Sequence, residues 1–152
     1  MAAWQNRSLS RASARLTIYH SAMKKIQTDK ATTAVGHYSQ GIAHNGLIFV
    51  SGQVATNPAT GEKVVDSIEA QTEQALRNVE AVLQAANSDL HHVLKMTIYV
   101  SGMEHWSAVN ATYAKILGEH RPARAIIPVG NFGNGLLIEI EAVAAVKNHE
   151  VN

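Results

Sequence analysis

Short stretches in which apolar and polar residues alternate predict strands in the first half of the chain. Segments 38–44 and 47–52 are apolar-rich and flank Asn45-Gly46. This dipeptide suits a type I′ turn, whose two central residues both need positive φ. The stretch "HVLKMTIYVSG", residues 92–102, alternates closely enough to be a strand with one buried face. The pattern therefore predicts a hairpin around residue 45 and a separate strand after residue 92.

Two other stretches carry their apolar residues at helical spacing. Between Ile68 and Ala86 the apolar positions recur three or four residues apart, with Asp66 available as an N-cap and Glu69 three residues later. A second series runs from Trp106 to Leu117 and is followed by Gly118, a residue that commonly ends helices. We therefore predict helices at 67–86 and at about 106–117.

The last third of the chain predicts two more strands, at about 124–129 and 136–146. The order of elements is then two strands, a helix, a strand, a helix and two strands. This order is typical of an α+β, ferredoxin-like layer, in which one mixed sheet carries both helices on the same face. Because nothing in the chain covers the second face of that sheet, we expect a homo-oligomer.

Composition agrees with one domain that has its own core. The chain has 152 residues, of which 46% are hydrophobic, and no apolar run approaches the roughly 20 residues of a membrane helix. We therefore expect a soluble globular protein that is not embedded in a membrane. The sequence has no cysteine, which excludes disulfides, thiolate nucleophiles and cysteine zinc sites. Any catalysis must use oxygen and nitrogen groups.

The charge divides the chain into an extension, residues 1–22, and a domain, residues 23–152. The extension contains three arginines and no acidic residue. Such an Arg-rich, Ser-rich segment is typical of an organellar presequence, and the alternative is an extension from an upstream start codon. The domain holds ten Lys or Arg against twelve Asp or Glu. This slightly acidic balance, with no basic cluster, argues against nucleic acid as a partner.

Arg124 is the residue that most needs an explanation. Strand periodicity puts it on one face with Ile126 and Pro128, and a charge among apolar groups must be paired because arginine does not deprotonate. Glu139 and Glu141 share one face of the final strand, and we predict that this strand lies beside the Arg124 strand. A cross-strand ion pair is one interpretation. The other is that Arg124 binds a small carboxylate while a glutamate activates a water.

Other chemical groups give weaker signals. Eight histidines are present, but none shows the i, i+4 spacing of a helical zinc site, so we predict no metal centre. The glycine-rich stretch 130–135 joins strand to strand and offers no helix N-terminus to a phosphate. We interpret it as a connecting loop.

Several motifs in order resemble one known family. They are "GHYSQGI", "GLIFVSGQV", "NPATGE", "QTEQALRNVEAVLQAANSDLHHVLKMTIYV", "VNATYAKIL", "RPAR" and "IEIEAVA", and they extend from about Met23 to Lys147. Together they resemble the RidA/YjgF family of reactive intermediate deaminases. The resemblance implies a chorismate-mutase-like α+β fold, assembled as a homotrimer with active sites between subunits.

The resemblance also implies an activity. Enzymatic members hydrolyse enamines and imines such as 2-aminoacrylate to 2-keto acids and ammonia, without a metal or organic cofactor. In this sequence Arg124 matches the carboxylate-binding arginine and Glu139 the glutamate that positions water, whereas Glu141 is kept as structural. The matching pocket positions are Tyr38, Ser51, Gly52, Asn110 and Ile126.

Two positions depart from the family pattern. His37 stands where a proline is usual and bears on substrate preference, and Ile126 stands where many members have a cysteine. Ile126 removes thiol chemistry but leaves hydrolysis intact, because that position is expected to meet the substrate through its backbone.

We therefore predict a 2-iminobutanoate/2-iminopropanoate deaminase, placed in the cytoplasm, or in a mitochondrion or plastid if residues 1–22 are a presequence. A non-catalytic trimer that binds small carboxylates as a regulator is the first alternative. An RNA-cleaving translation inhibitor is the second, and the lack of a basic stripe counts against it.

Overall fold

The computed structural model describes residues 22–147. The strands are β1 (Lys24–Ile26), β2 (Gly41–His44), β3 (Leu47–Val54), β4 (Val93–Val100), β5 (Ala123–Pro128) and β6 (Ile138–Ala145), and the helices are α1 (Ile68–Ala85) and α2 (Trp106–Leu117). Short 3₁₀ turns precede β4 and α2. The N-terminal extension predicted at 1–22 falls almost wholly outside the described residues and stays a prediction.

The six strands form one mixed sheet in the order β1-β2-β3-β6-β4-β5. Only β4 and β5 pair in parallel within this sheet, and their connection passes through α2. This confirms the predicted α+β class. The sequence pattern missed β1, whose three residues "KKI" are too few to show alternation. Predicted strand 38–44 begins only at Gly41, because residues 28–40 form a loop instead.

Both helices pack on one face of the sheet, as predicted. Buried α1 residues such as Leu76, Val79 and Leu83 form one core with Met96 and Ile140 of the central strands, and α2 joins it. Such burial is the main favourable term for a domain of this size. The N-cap of α1 is Ser67, whose side chain accepts a hydrogen bond from the Ala70 N–H, so the prediction of Asp66 was wrong by one residue.

The opposite face, which we call the open face, is not covered by any described residue of the chain. It presents Phe49, 46% exposed, and Ile127, 40% exposed, and Leu47 lies at its end. Apolar side chains left in water on a continuous sheet favour association with another surface. Among the described residues, no helix is long and apolar enough to span a membrane.

Two local backbone features shape β3, and the second lies near the candidate site. Asn45 and Gly46 have φ of 50° and 78°, which confirms the predicted hairpin turn between β2 and β3. Further along β3, the register with β6 shifts between Val50 and Gln53. One extra residue on β3 therefore makes a β-bulge at Ser51 and Gly52, a distortion that often occurs beside active sites.

Candidate functional site

Arg124 lies on β5, the edge strand, with its side chain directed towards α2. Its Nη2 donates a hydrogen bond to Asn110 Oδ1 at 2.8 Å. The guanidinium carbon also lies 4.6 Å from the centre of the Tyr113 ring, a cation–π arrangement. Asn110 and Tyr113 are three residues apart and therefore share one face of the helix. This face of α2 fixes the orientation of the guanidinium.

The guanidinium of Arg124 has no carboxylate partner within residues 22–147. It lines a cleft of about 540 Å³ together with Asn110, Tyr113, His120 and Pro122. Burial raises the pKa of the Tyr113 hydroxyl, although the charge of Arg124 acts in the opposite direction. A partly buried, oriented cation that lacks an acidic neighbour is well suited to bind an anionic ligand.

Glu139 lies on β6 and borders a second cavity, on the open face. The cavity has a volume of about 420 Å³ and is lined by Tyr38, Ser51, Gly52, Glu139 and Glu141. The carboxylate of Glu139 rests against the backbone of Gly52, where a Cβ would overlap it. The bulge in β3 and the absence of a side chain at Gly52 together make the space for this carboxylate.

The surroundings of Glu139 stabilise its protonated form, compared with a carboxyl group that is fully exposed to water. Burial raises the pKa of Glu139, and the nearby charge of Glu141 raises it further. Glu141 in turn accepts a hydrogen bond from the Tyr99 hydroxyl at 3.0 Å, which raises the pKa of Tyr99. Glu141 is thus tied to β4, whereas the structure shows no hydrogen-bond partner for Glu139 within the described residues. Glu139 is the carboxylate that can bind a water or substrate.

The register of the sheet separates Arg124 from Glu139. One row of paired residues across β5, β4 and β6 is Arg124, Met96 and Ala142. Another row across the same strands is Ile127, Tyr99 and Glu139. Residues paired across strands point to the same face, so Arg124 points to the helices and Glu139 to the open face. The prediction that their strands are neighbours was wrong, because β4 lies between them. An ion pair between these two side chains of one chain is therefore excluded.

The remaining predicted residues, except Ile126, divide between the two cavities. Asn110 lies with Arg124, whereas Ile126 lies on the same face of β5 but packs against the core and lines neither cavity. Tyr38, Ser51 and Gly52 lie with Glu139. The structure therefore forms two half-sites, because Arg124 lines one cavity and Glu139 lines another.

Sequence reasoning missed two tyrosines at the site. The sequence pattern assigns no site role to Tyr113, yet its ring lies against the guanidinium of Arg124. It likewise assigns no role to Tyr99, whose hydroxyl donates a hydrogen bond to Glu141. The three-residue spacing of Asn110 and Tyr113 was a signal available in the sequence.

Within the described residues, no group of three or more potential ligands could hold a metal ion.

Comparison with known proteins places this geometry in a family. Residues 28–146 match the family described as Endoribonuclease L-PSP. The chain is 39% identical over 124 residues to the 2-iminobutanoate/2-iminopropanoate deaminase of Escherichia coli K12, covering 80% of this chain and 96% of that protein. It is 44% identical over 126 residues to AldR of Lactococcus lactis, which is named as a regulator, and the match covers 83% of this chain and 100% of that protein.

A solved structure shows the same fold. The crystal structure of the Escherichia coli YjgF gene product aligns with a TM-score of 0.77 and 37% identity, covering 82% of this chain and 99% of that one. Residues 28–146, which match the family, contain both half-sites and all the strands from β2 to β6. The chain therefore belongs to the Endoribonuclease L-PSP family, which is the YjgF/RidA family.

Proposed function

We propose that this protein is a 2-iminobutanoate/2-iminopropanoate deaminase, which hydrolyses reactive imines to 2-keto acids and ammonia. The observation that carries the proposal is the unpaired guanidinium of Arg124, oriented by Asn110 and Tyr113 beside an open cleft. A 2-imino acid has a carboxylate next to its reactive carbon. Arginine binds such a carboxylate through two parallel N–H groups, so it fixes both position and orientation.

The second half of the proposed site is Glu139. In imine hydrolysis, the oxygen of water adds to the C=N carbon while one proton of that water passes to the nitrogen, which gives a carbinolamine. The hydroxyl proton of the carbinolamine then passes to the nitrogen, the C–N bond breaks, and ammonia leaves as the C=O bond forms. In both steps Glu139 accepts the proton from oxygen and returns it to nitrogen. A raised pKa suits a group that must both accept and donate a proton, because its protonated form becomes easier to reach. No external reactant other than water is needed, and the reaction proceeds without a bound metal or organic cofactor.

The two half-sites become one site only when two copies of the chain meet. Arg124 and Glu139 point to opposite faces of the sheet, so one copy cannot bring both to the same substrate. The exposed apolar residues of the open face support association. We therefore propose a homotrimer, in which each site combines the Arg124 cleft of one subunit with the Glu139 cavity of its neighbour.

Turnover with variants of the two half-sites tests the proposal. A serine dehydratase generates 2-aminoacrylate in situ, and the decay of the enamine and the appearance of pyruvate are followed together. We expect Arg124→Ala to lower kcat/KM by about 100-fold or more, equivalent to about 3 kcal/mol of transition-state binding. Arg77→Ala, which removes an exposed arginine paired with Glu73, is the matched control and should keep full activity. Equal rates for wild type and Arg124→Ala contradict the proposal.

A regulator that binds small carboxylates is the second candidate, favoured by the similarity to AldR. Such a protein would bind pyruvate or 2-oxobutanoate in calorimetry with an Arg124-dependent affinity and show no turnover. RNA cleavage has less support, because the domain has no basic stripe, and digestion of a labelled RNA checks it. Cellular placement is proposed as cytoplasmic, or organellar if residues 1–22 are a presequence, and the mature N-terminus by mass spectrometry decides between these.

A further inference from the structure

Gln40 is a buried glutamine whose amide binds four backbone groups of the preceding segment. The residue is 3% exposed. Oε1 accepts a hydrogen bond from the Thr28 N–H at 2.7 Å, and Nε2 donates to the carbonyls of Thr28 at 2.9 Å, Thr32 at 2.8 Å and, at the longer distance of 3.5 Å, Ala31. A glutamine amide has two N–H donors and one carbonyl acceptor, so both ends are used. The amide therefore closes residues 28–40, which we call the Tyr38 loop.

The other end of this loop is tied to the Glu139 half-site. The Gln40 carbonyl accepts a hydrogen bond from the Ser51 N–H at 3.0 Å, and Ser51 Oγ donates to the Ser39 carbonyl at 2.7 Å. Ser51 belongs to the bulge that makes room for Glu139. Gln40 thus connects the base of the loop to the strand that forms the floor of the cavity.

The middle of the Tyr38 loop has few other contacts. Val35 is 91% exposed and Tyr38 is 50% exposed. The Tyr38 ring folds over Gly36, where a Cβ would lie 3.1 Å from the ring. Between the loop and β1 there is a cleft of about 380 Å³, lined in part by Thr33 and Tyr38. This space allows the loop to shift if the bonds at its base are lost.

We propose that Gln40 is a positioning residue that holds Tyr38 against the Glu139 cavity. The kinetic part of this inference rests on the proposed function, whereas the placement of the loop does not. Loss of the amide breaks the four bonds to Thr28, Ala31 and Thr32 and changes no atom of Glu139 or Arg124. Because Tyr38 lines the substrate cavity, its displacement weakens substrate binding rather than proton transfer.

A double-mutant cycle between Gln40 and Tyr38 measures this coupling. In the deaminase assay, we expect Gln40→Met to raise KM by about tenfold and to change kcat by less than about threefold. In a Tyr38→Ala background, Gln40→Met should raise KM by no more than about twofold, because residues that act through one another are not additive. Hydrogen exchange of the amides in residues 28–39 should become faster, with the rest of the domain unchanged.

Ser88→Ala is the matched control, since it removes a buried hydrogen bond to the carbonyl of Ala145, at the opposite end of β6 from Glu139. It should lower Tm and leave KM unchanged. If Gln40→Met does not fold, Gln40→Glu, which keeps the acceptor for Thr28, replaces it in the same cycle. The inference is overturned by an unchanged KM, by the same increase in KM in both backgrounds, or by unchanged exchange of residues 28–39. If the wild-type protein shows no turnover, the proposed function fails, and the exchange rates then decide the role of Gln40 by themselves.

Discussion

Mixed oligomers of two inactive variants test whether one site is built from two subunits. Arg124→Ala removes the proposed carboxylate-binding group from the helix face, and Glu139→Gln removes the proposed proton acceptor from the open face. Each variant alone should be nearly inactive. When both variants are present in one copy of the proposed homotrimer, a site between an intact Arg124 and an intact Glu139 of different subunits should be restored.

The expected recovery follows from counting subunit arrangements. With equal amounts and random association, about three trimers in four contain both variants, and each of these restores one of its three sites. The mixture should therefore recover about one quarter of the wild-type activity. Co-expression, or joint refolding from denaturant, exchanges the subunits before the pyruvate assay.

One result would refute this reasoning. If Arg124 and Glu139 of one chain served the same site, every site in the mixture would lack one group and no activity would return. A mixture of separately folded trimers gives the baseline, because its subunits do not exchange. Recovery that does not rise above this baseline after verified exchange contradicts the proposed division of the site between subunits.

Three further predictions concern the Glu139 cavity. Gly52→Ala should lower kcat/KM by about 10- to 100-fold with little change in Tm, because a Cβ at this position displaces the Glu139 carboxylate. An unaltered kcat/KM would show that the carboxylate can move without loss of activity. Glu141→Gln should move the acid limb of the pH profile of kcat/KM to lower pH, because it removes a charge that raises the pKa of Glu139; a limb that stays in place would exclude this coupling. Glu139→Gln should raise Tm at neutral pH, because a carboxyl group whose pKa is raised in the folded state favours that state below about pH 4 and loses this contribution as it ionises at higher pH. The difference in Tm from wild type should vanish in acid, and a lower Tm of the variant at neutral pH would contradict the prediction.

Much of the fold could be predicted from local patterns. The helical spacing of apolar residues predicted α1 and α2 within about one residue, and Asn45-Gly46 predicted the hairpin turn. These features depend on residues close together in the chain, where periodicity and backbone preferences act directly. Strand β1 was missed because its three residues form a strand only by pairing with β2.

The identities of Arg124, Glu139 and their companions came from ordered motifs in the sequence, and the structure distributes them over two cavities. Periodicity correctly placed Arg124 with Ile126 on one face of its strand. It did not reveal that Tyr113 and Asn110 orient the guanidinium, since those contacts join a helix to a strand.

The sequence by itself determined the types of the helices and strands other than β1, the turn at Asn45-Gly46 and the chemical groups available to the site. Only the tertiary structure decided that β4 separates β5 from β6 and that Arg124 and Glu139 point to opposite faces. The physical reason is that strand order is set by long-range packing of the sheet against both helices. Alternation within a strand specifies which residues share a face, but it does not specify which strand lies beside it.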